Sequence, residues 1–127
     1  MIAVIDYGIG NLRSVEKAFQ YLGFDVCVTD QKQTLRDADH IVLPGVGAIA
    51  DALSNLEQRG LTTEIVKQAE SGKPFLGICL GMQLLFGKSY ENGEYEALGL
   101  IEGDVKPFCL ENMRVPHMGW NSLIVKN

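Results

Sequence analysis

The sequence has too few cysteines and histidines for a disulfide framework or a metal centre. Its 127 residues include three cysteines, Cys27, Cys79 and Cys109, and two histidines, His40 and His117. The cysteines are odd in number, and none of them has the CxxC spacing of a zinc or redox site. We therefore expect no disulfide framework, no metal site and a reducing, cytoplasmic location.

Basic residues and long apolar runs are also scarce. The 11 Lys and Arg residues face 16 Asp and Glu residues, giving a net charge of -5. This balance argues against nucleic acid or an anionic membrane as the main partner, because either favours a basic surface. No apolar run approaches the roughly 20 residues of a membrane span, and the residues from Met1 to Asp6 predict a strand rather than a secretory signal. The 46% of apolar residues predicts one globular domain over residues 1–127.

Short apolar runs alternate with stretches of helical periodicity through the first 86 residues. Strands are predicted at 2–5, 24–29, 40–43 and 75–78, and helices at 12–22, 49–59, 61–71 and 80–86, with one helical turn inside 30–39. Such alternation is typical of a mostly parallel sheet with helices on both faces. Residues 89–96 are predicted as a polar loop, and residues 98–105 and 122–125 as two later strands.

One segment has the pattern of a nucleophile elbow with cysteine in place of serine. Residues 77–81 read Gly-Ile-Cys-Leu-Gly, between a predicted strand and a predicted helix. Glycine is needed on each side of the nucleophile because a sharp strand-to-helix turn crowds the backbone. The turn exposes Cys79 at a helix N-terminus, which favours the reactive thiolate, and makes the N–H of Leu80 an oxyanion donor. Cys27 and Cys109 lack this pattern and are interpreted as unreactive cysteines.

A glycine-rich segment, Pro44–Gly47, follows another predicted strand. In a parallel sheet this segment shares the carboxyl edge with the elbow, and ligands bind at that edge. Gly45 and Val46 are therefore candidates for a second oxyanion donor, while an ordinary βα turn remains an equally open alternative. The Gly8-Ile9-Gly10 sequence does not indicate a dinucleotide site, because Arg13 stands where the third glycine is required.

Several segments together resemble a known family. The sequence from Gly77 to Gln83 resembles the nucleophile motif of class I, or triad, glutamine amidotransferases. The segments 6–12, 43–47 and 116–121, which read DYGIGNL, LPGVG and PHMGWN, narrow the resemblance to the glutaminase subunits of imidazole glycerol phosphate synthase. It covers the whole chain and implies an α/β class I amidotransferase fold, with no cofactor and no metal.

The resemblance also implies the chemistry. Cys79 would attack the side-chain amide of glutamine and release ammonia, and the glutamyl thioester would then be hydrolysed to glutamate. Gly47, Gln83 and Glu91 stand at positions that contact glutamine in the family, Glu91 in a variable loop.

A second implication of the resemblance is a partner subunit. Asn11 and Trp120 match positions that face a (β/α)₈-barrel synthase. In histidine biosynthesis that synthase receives the ammonia and forms imidazole glycerol phosphate and an aminoimidazole carboxamide ribotide. Core packing is the alternative role for Trp120, the only tryptophan.

The sequence departs from the family after the nucleophile. The family's catalytic His and Glu come from a His-Pro-Glu segment that this sequence does not contain. His117 is the one histidine after Cys79 and is interpreted as structural, so the family's C-terminal third is expected to be missing. Three functions remain open: a glutaminase subunit, including a paralogue that serves another synthase; a docking domain without hydrolysis; and a cysteine hydrolase or thiol sensor of another class.

Overall fold

A computed structural model describes all 127 residues, and strands alternate with helices through most of the chain. The elements follow in the order β1 (Ile2–Ile5), α1 (Leu12–Tyr21), β2 (Val26–Thr29), α2 (Lys32–Asp37), β3 (His40–Leu43), α3 (Ile49–Gln58), α4 (Thr62–Glu70), β4 (Phe75–Gly77), α5 (Leu80–Gln83), β5 (Phe86–Ser89), β6 (Tyr95–Glu96) and β7 (Ile101–Val105).

The first four strands form one parallel sheet in the order β2-β1-β3-β4. In this sheet β1 pairs with β2 on one side and with β3 on the other, and β4 pairs with β3. Because the strands are parallel, all their carboxyl ends lie at one edge, where the connections to α1, α3 and α5 begin. The predicted parallel sheet is confirmed.

Helices cover both faces of this sheet because alternate residues of each strand point to opposite sides. Ala3 and Ile5 of β1 join the larger core of 15 buried residues, which includes side chains from α2, α3 and α4. Ile2 and Val4 join a smaller core with Leu12, Val15 and Phe19, which lie in α1. The expected helices on both faces are therefore present.

A second, smaller sheet follows α5 and has the order β6-β5-β7. Strand β5 pairs antiparallel with β6 and parallel with β7. Backbone bonds tie this sheet to the end of α5, since the N–H of Leu98 donates to the Leu84 carbonyl and the N–H groups of Leu100 and Ile101 donate to the Leu85 carbonyl.

Three expectations from the sequence are wrong. The polar loop predicted at 89–96 begins with the last residue of β5 and ends with β6, because Lys88 and Ser89 pair with Glu96 and Tyr95. The predicted helix at 80–86 ends at Gln83, and residues 86–89 are strand β5, because the bonds just described pair this stretch with the second sheet and override its helical apolar spacing. The strand predicted at 122–125 is absent. A strand needs a neighbour to bond with, and residues 106–127 are exposed without helix or strand.

Candidate active site

Cys79 lies in a sharp turn between β4 and α5, with φ 56° and ψ -116°. Positive φ is uncommon for a residue with a side chain, and it persists only where the surroundings impose it. Two backbone bonds do so, because the Ile78 N–H donates to the Leu43 carbonyl at 3.0 Å and the Leu80 N–H donates to the Gly45 carbonyl at 3.2 Å. Cys79 is exposed, so the strained turn presents the thiol at the carboxyl edge of the sheet.

The two glycines of the elbow are required by close backbone packing. A methyl group added at Gly77 would lie 2.7 Å from the Met82 Cα atom. One added at Gly81 would overlap the Leu43 carbonyl oxygen and lie 2.7 Å from its carbonyl carbon. Carbon atoms pack best at about 3.5–4.0 Å, so no side chain fits at either position.

Helix α5 is shorter than the sequence predicts. It has four residues, Leu80–Gln83, which is about one turn. A single turn aligns few peptide dipoles, so it contributes a smaller field at the thiol than a full-length helix would.

The glycine-rich segment Pro44–Gly47 runs beside the elbow, as the parallel sheet predicts. The Gly45 carbonyl accepts the hydrogen bond from the Leu80 N–H, so this expected oxyanion donor is occupied. In a trans peptide the N–H points opposite to the carbonyl, and the Val46 N–H is therefore directed away from Leu80. The N–H groups of Leu80 and Val46 therefore do not converge in this arrangement.

Tyr7 is a residue of this region that the sequence alone did not identify as part of the site. Its side chain is completely buried, and its hydroxyl donates to the Pro44 carbonyl at 2.7 Å. Burial, with a smaller contribution from the charge of Cys79, raises the pKa of Tyr7 to about 12. Two sequence signals pointed to it: its place two residues after a buried strand, at the edge where ligands bind, and its inclusion in the segment 6–12.

The residues expected to contact glutamine lie in three different segments, and no contact among them is observed. Gln83 is half-buried on α5, and its Oε1 atom is buried without a hydrogen-bond partner. Glu91 is half-buried in the loop between β5 and β6. Gly47 has φ 93° and open space beside it. A buried oxygen without a donor is unusual, and Gln83 is the member of this set that has one.

Neither histidine contacts the nucleophile. His40 begins β3 and so lies at the opposite edge of the sheet from Cys79. His117 lies in the exposed segment 106–127. No hydrogen bond in the structure reaches the Cys79 thiol, so no general base is in contact with it.

Both residues expected to face a partner are exposed. Asn11 accepts the Ser14 N–H at 3.4 Å, which confirms that it caps α1. The Trp120 side chain is fully exposed and packs into neither core, so core packing does not explain it in this structure. Their roles at an interface stay predictions.

The structure shows neither a metal-binding cluster nor a membrane-spanning helix. No three side chains of His, Cys, Asp or Glu are grouped so that they could hold a metal ion. None of the helices has the length and apolar character that a membrane span requires.

Comparisons with known proteins agree on the family and the fold. The family model described as glutamine amidotransferase class-I matches residues 3–127. A solved structure described as a glutamine amidotransferase superposes with a TM-score of 0.70 at 22% identity, covering 84% of this chain and 56% of that one. A peptidase E protein from Listeria monocytogenes superposes with a TM-score of 0.64 at 18% identity, covering 79% and 62%. At these identities the two structures show the fold alone.

Curated relatives are more similar in sequence. Imidazole glycerol phosphate synthase subunit HisH of Caldanaerobacter subterraneus is 51% identical over 126 residues, which cover 99% of this chain and 62% of that protein. The subunit of the same name from Aquifex aeolicus is 53% identical over 124 residues, covering 97% and 59%. The chain thus spans about three fifths of the length of these relatives.

Proposed function

The chain belongs to the class-I glutamine amidotransferase family, and from this premise we propose that it carries the nucleophile of a glutaminase that supplies ammonia to a synthase subunit. The single observation that carries the proposal is the elbow, in which Cys79 is held at positive φ and exposed at the carboxyl edge. A buried, unstrained cysteine would need none of the packing that Gly77 and Gly81 provide. The strain is a cost that a purely structural cysteine would not require.

The proposed reaction begins at the Cys79 sulfur. The thiolate attacks the side-chain amide carbon of glutamine, a C–S bond forms, and the carbonyl electron pair moves to oxygen. When the tetrahedral adduct collapses, the C–N bond breaks and the nitrogen takes up a proton to leave as ammonia. Water then attacks the thioester, which yields glutamate and returns the thiol.

The adduct needs donors for its oxygen, and these require a local rearrangement. Rotation of the Gly45–Val46 peptide would break the bond from the Leu80 N–H to the Gly45 carbonyl. The same rotation would turn the Val46 N–H toward the elbow, so one movement supplies both donors. Glycine at position 45 makes this rotation accessible because it tolerates a wide range of backbone angles.

Complete turnover also needs a base. The family resemblance assigns this role to a His-Pro-Glu segment, which is not part of this sequence. We therefore expect these 127 residues to react with electrophiles at Cys79, while releasing glutamate from glutamine no faster than a Cys79→Ala variant, because the members of a triad act as a unit.

We also propose the partner. Relatives named as HisH subunits of imidazole glycerol phosphate synthase are about 50% identical to this chain. By extension, the ammonia would pass to a barrel synthase subunit of histidine biosynthesis. The exposed Trp120 suits this contact because aromatic side chains are enriched at the centres of interfaces.

The test uses two reagents of different shape. A chloroketone analogue of L-glutamine and plain iodoacetamide are each reacted with the chain, and peptide mass spectrometry locates the modified cysteine. Cys109 is the internal control because it is exposed like Cys79 but lies outside the elbow. We expect the glutamine analogue to modify Cys79 selectively and excess L-glutamine to slow that reaction. Iodoacetamide should modify both cysteines.

Two outcomes would contradict the proposal. Equal modification of Cys79 and Cys109 by the glutamine analogue would show that no glutamine site surrounds Cys79. An absence of protection by L-glutamine would indicate a thiol of another class. Cys79-dependent turnover would support the nucleophile and contradict only the expectation that these residues lack the base.

A further inference from the structure

Tyr7 connects the end of β1 to the glycine-rich segment. Its hydroxyl donates to the Pro44 carbonyl at 2.7 Å, and the side chain is completely buried. Pro44 is itself buried and has a ring that restricts its φ angle. The hydrogen bond therefore fixes the carbonyl that directly precedes the Gly45–Val46 peptide.

The hydroxyl also contacts the residue whose peptide must rotate. A methyl group added at Gly45 would lie 2.6 Å from the Tyr7 hydroxyl oxygen. Glycine at this position is thus what allows the tyrosine to reach the Pro44 carbonyl. The pair places a hydroxyl directly against the backbone that precedes Val46.

The backbone of Tyr7 is anchored in turn by helix α3. The Asn55 side-chain amide donates to the Tyr7 carbonyl at 3.1 Å, and the Gly8 N–H donates to the Asp6 carboxylate at 3.0 Å. The position of the hydroxyl is therefore set by the main sheet and by α3.

We infer that Tyr7 is a positioning residue, whose hydroxyl holds the Pro44 carbonyl fixed while the adjoining Gly45–Val46 peptide rotates to form the oxyanion site. The inference rests on the proposed function. Two successive carbonyls of this segment are held, that of Pro44 by the Tyr7 hydroxyl and that of Gly45 by the Leu80 N–H. If only the second bond opens, one peptide turns about a fixed point.

Without the hydroxyl, the Pro44 carbonyl loses its partner in a buried site and the whole segment can shift. Donors displaced by about 1 Å can lower a reaction rate by up to about 100-fold. The raised pKa of Tyr7 keeps its proton in place at neutral pH, so the hydroxyl remains a donor across the range in which a thiolate reacts.

The test separates oxyanion formation from thiol reactivity. The Cys79 thiolate adds to the ketone carbon of the glutamine chloroketone, which gives a tetrahedral adduct with a negatively charged oxygen. The sulfur then displaces chloride from the neighbouring CH2 carbon, and the first carbon–sulfur bond breaks as the ketone re-forms. Iodoacetamide reacts by direct displacement of iodide and forms no oxyanion. Rates of Cys79 modification by both reagents are measured for the unmodified chain, for Tyr7→Phe and for Tyr21→Phe. Tyr21 is the matched control because its side chain is 90% exposed.

For Tyr7→Phe we expect the saturating rate with the chloroketone to fall by about 10- to 100-fold. The half-saturating concentration and the iodoacetamide rate should stay within about twofold, because glutamine contacts and thiol exposure are unchanged. Tyr21→Phe should match the unmodified chain. Asn55→Ala removes the hydrogen bond to the Tyr7 carbonyl but leaves the Tyr7 side chain intact, so it should show the same pattern to a smaller extent. This variant replaces Tyr7→Phe in the test if Tyr7→Phe does not fold.

The outcomes are distinguishable. If the unmodified chain shows no selective modification of Cys79, the proposed function fails and this inference fails with it. If the unmodified chain reacts selectively but Tyr7→Phe and Asn55→Ala react at the same rate, only the positioning role is refuted. A parallel loss with both reagents also refutes it, because that pattern indicates general damage to the elbow.

Discussion

Substitution of Gly81 by alanine should damage the elbow more than any other single methyl group in this region. The new carbon would overlap the Leu43 carbonyl oxygen and lie 2.7 Å from its carbonyl carbon. Since the optimal separation of nonbonded carbon atoms is about 3.5–4.0 Å, β3 and α5 must move apart by about 1 Å. Both contacting groups are backbone, so neither can turn away as a flexible side chain would.

The expected loss of stability follows from this overlap. Overpacking usually costs about 1–3 kcal/mol, and a backbone-to-backbone overlap belongs at the upper end, about 3 kcal/mol. For a domain of this size Tm falls by roughly 3–5 °C per kcal/mol, which gives a decrease of about 10 °C. Labelling of Cys79 by the glutamine chloroketone should also slow, because the Leu80 N–H moves with the displaced helix.

Thermal unfolding followed by circular dichroism measures the first effect, and peptide mass spectrometry measures the second. Gly119→Ala is the matched control, because nothing lies within 4 Å of a methyl group added there. A Gly81→Ala variant whose Tm stays within about 2 °C of the control, the range of an ordinary surface substitution, and whose Cys79 labels at the same rate would show that the overlap is not present.

Two further predictions concern an ion pair and an exposed ring. Hydrogen bonds from Arg36 at 2.8 and 3.0 Å, with burial opposing them, hold the pKa of Glu64 at about 2, below its usual 4.5. A carboxyl group whose pKa is lowered in the folded state stabilises the fold at pH values above its unfolded pKa. Glu64→Gln should therefore lower the free energy of unfolding by about 1–2 kcal/mol above pH 4.5, a loss limited by the half-exposed Arg36, and the difference should disappear as the pH falls toward 2. Urea unfolding at several pH values measures this difference, and a pH-independent difference would contradict the prediction. Trp120→Ala should weaken binding to the barrel synthase subunit by about tenfold or more in titration calorimetry, while its Tm stays unchanged. Unchanged affinity together with a lowered Tm would indicate that Trp120 packs in the core instead.

The main sheet and the nucleophile could be predicted because their signals are local. Short apolar runs mark β1 and β3 at their observed bounds, and the glycines around Cys79 indicate the elbow without knowledge of its neighbours. The contacts that require those glycines come from Leu43 and Met82. A glycine pattern therefore indicates that another segment packs closely against the backbone, even when that segment is not yet known.

What could not be predicted depends on pairing between distant residues. Strand β5 begins at Phe86, directly after Leu80, Leu84 and Leu85, whose helical spacing favours a longer helix, and only its pairing with β6 and β7 identifies it. The hydrogen bonds from the Leu80 N–H to the Gly45 carbonyl and from the Tyr7 hydroxyl to the Pro44 carbonyl likewise depend on how separate segments are aligned. No pattern within one segment carries that information.

The order of the strands along the chain has a consequence for synthesis on the ribosome. The central strand β1 is made first, and both its neighbours are complete by Leu43. All four strands of the main sheet precede Cys79 in the chain, and domains tend to fold from the N-terminus as they emerge. Cys79 is therefore synthesised after all four strands of the main sheet, and the Leu43 and Gly45 carbonyls that bond its turn precede it in the chain.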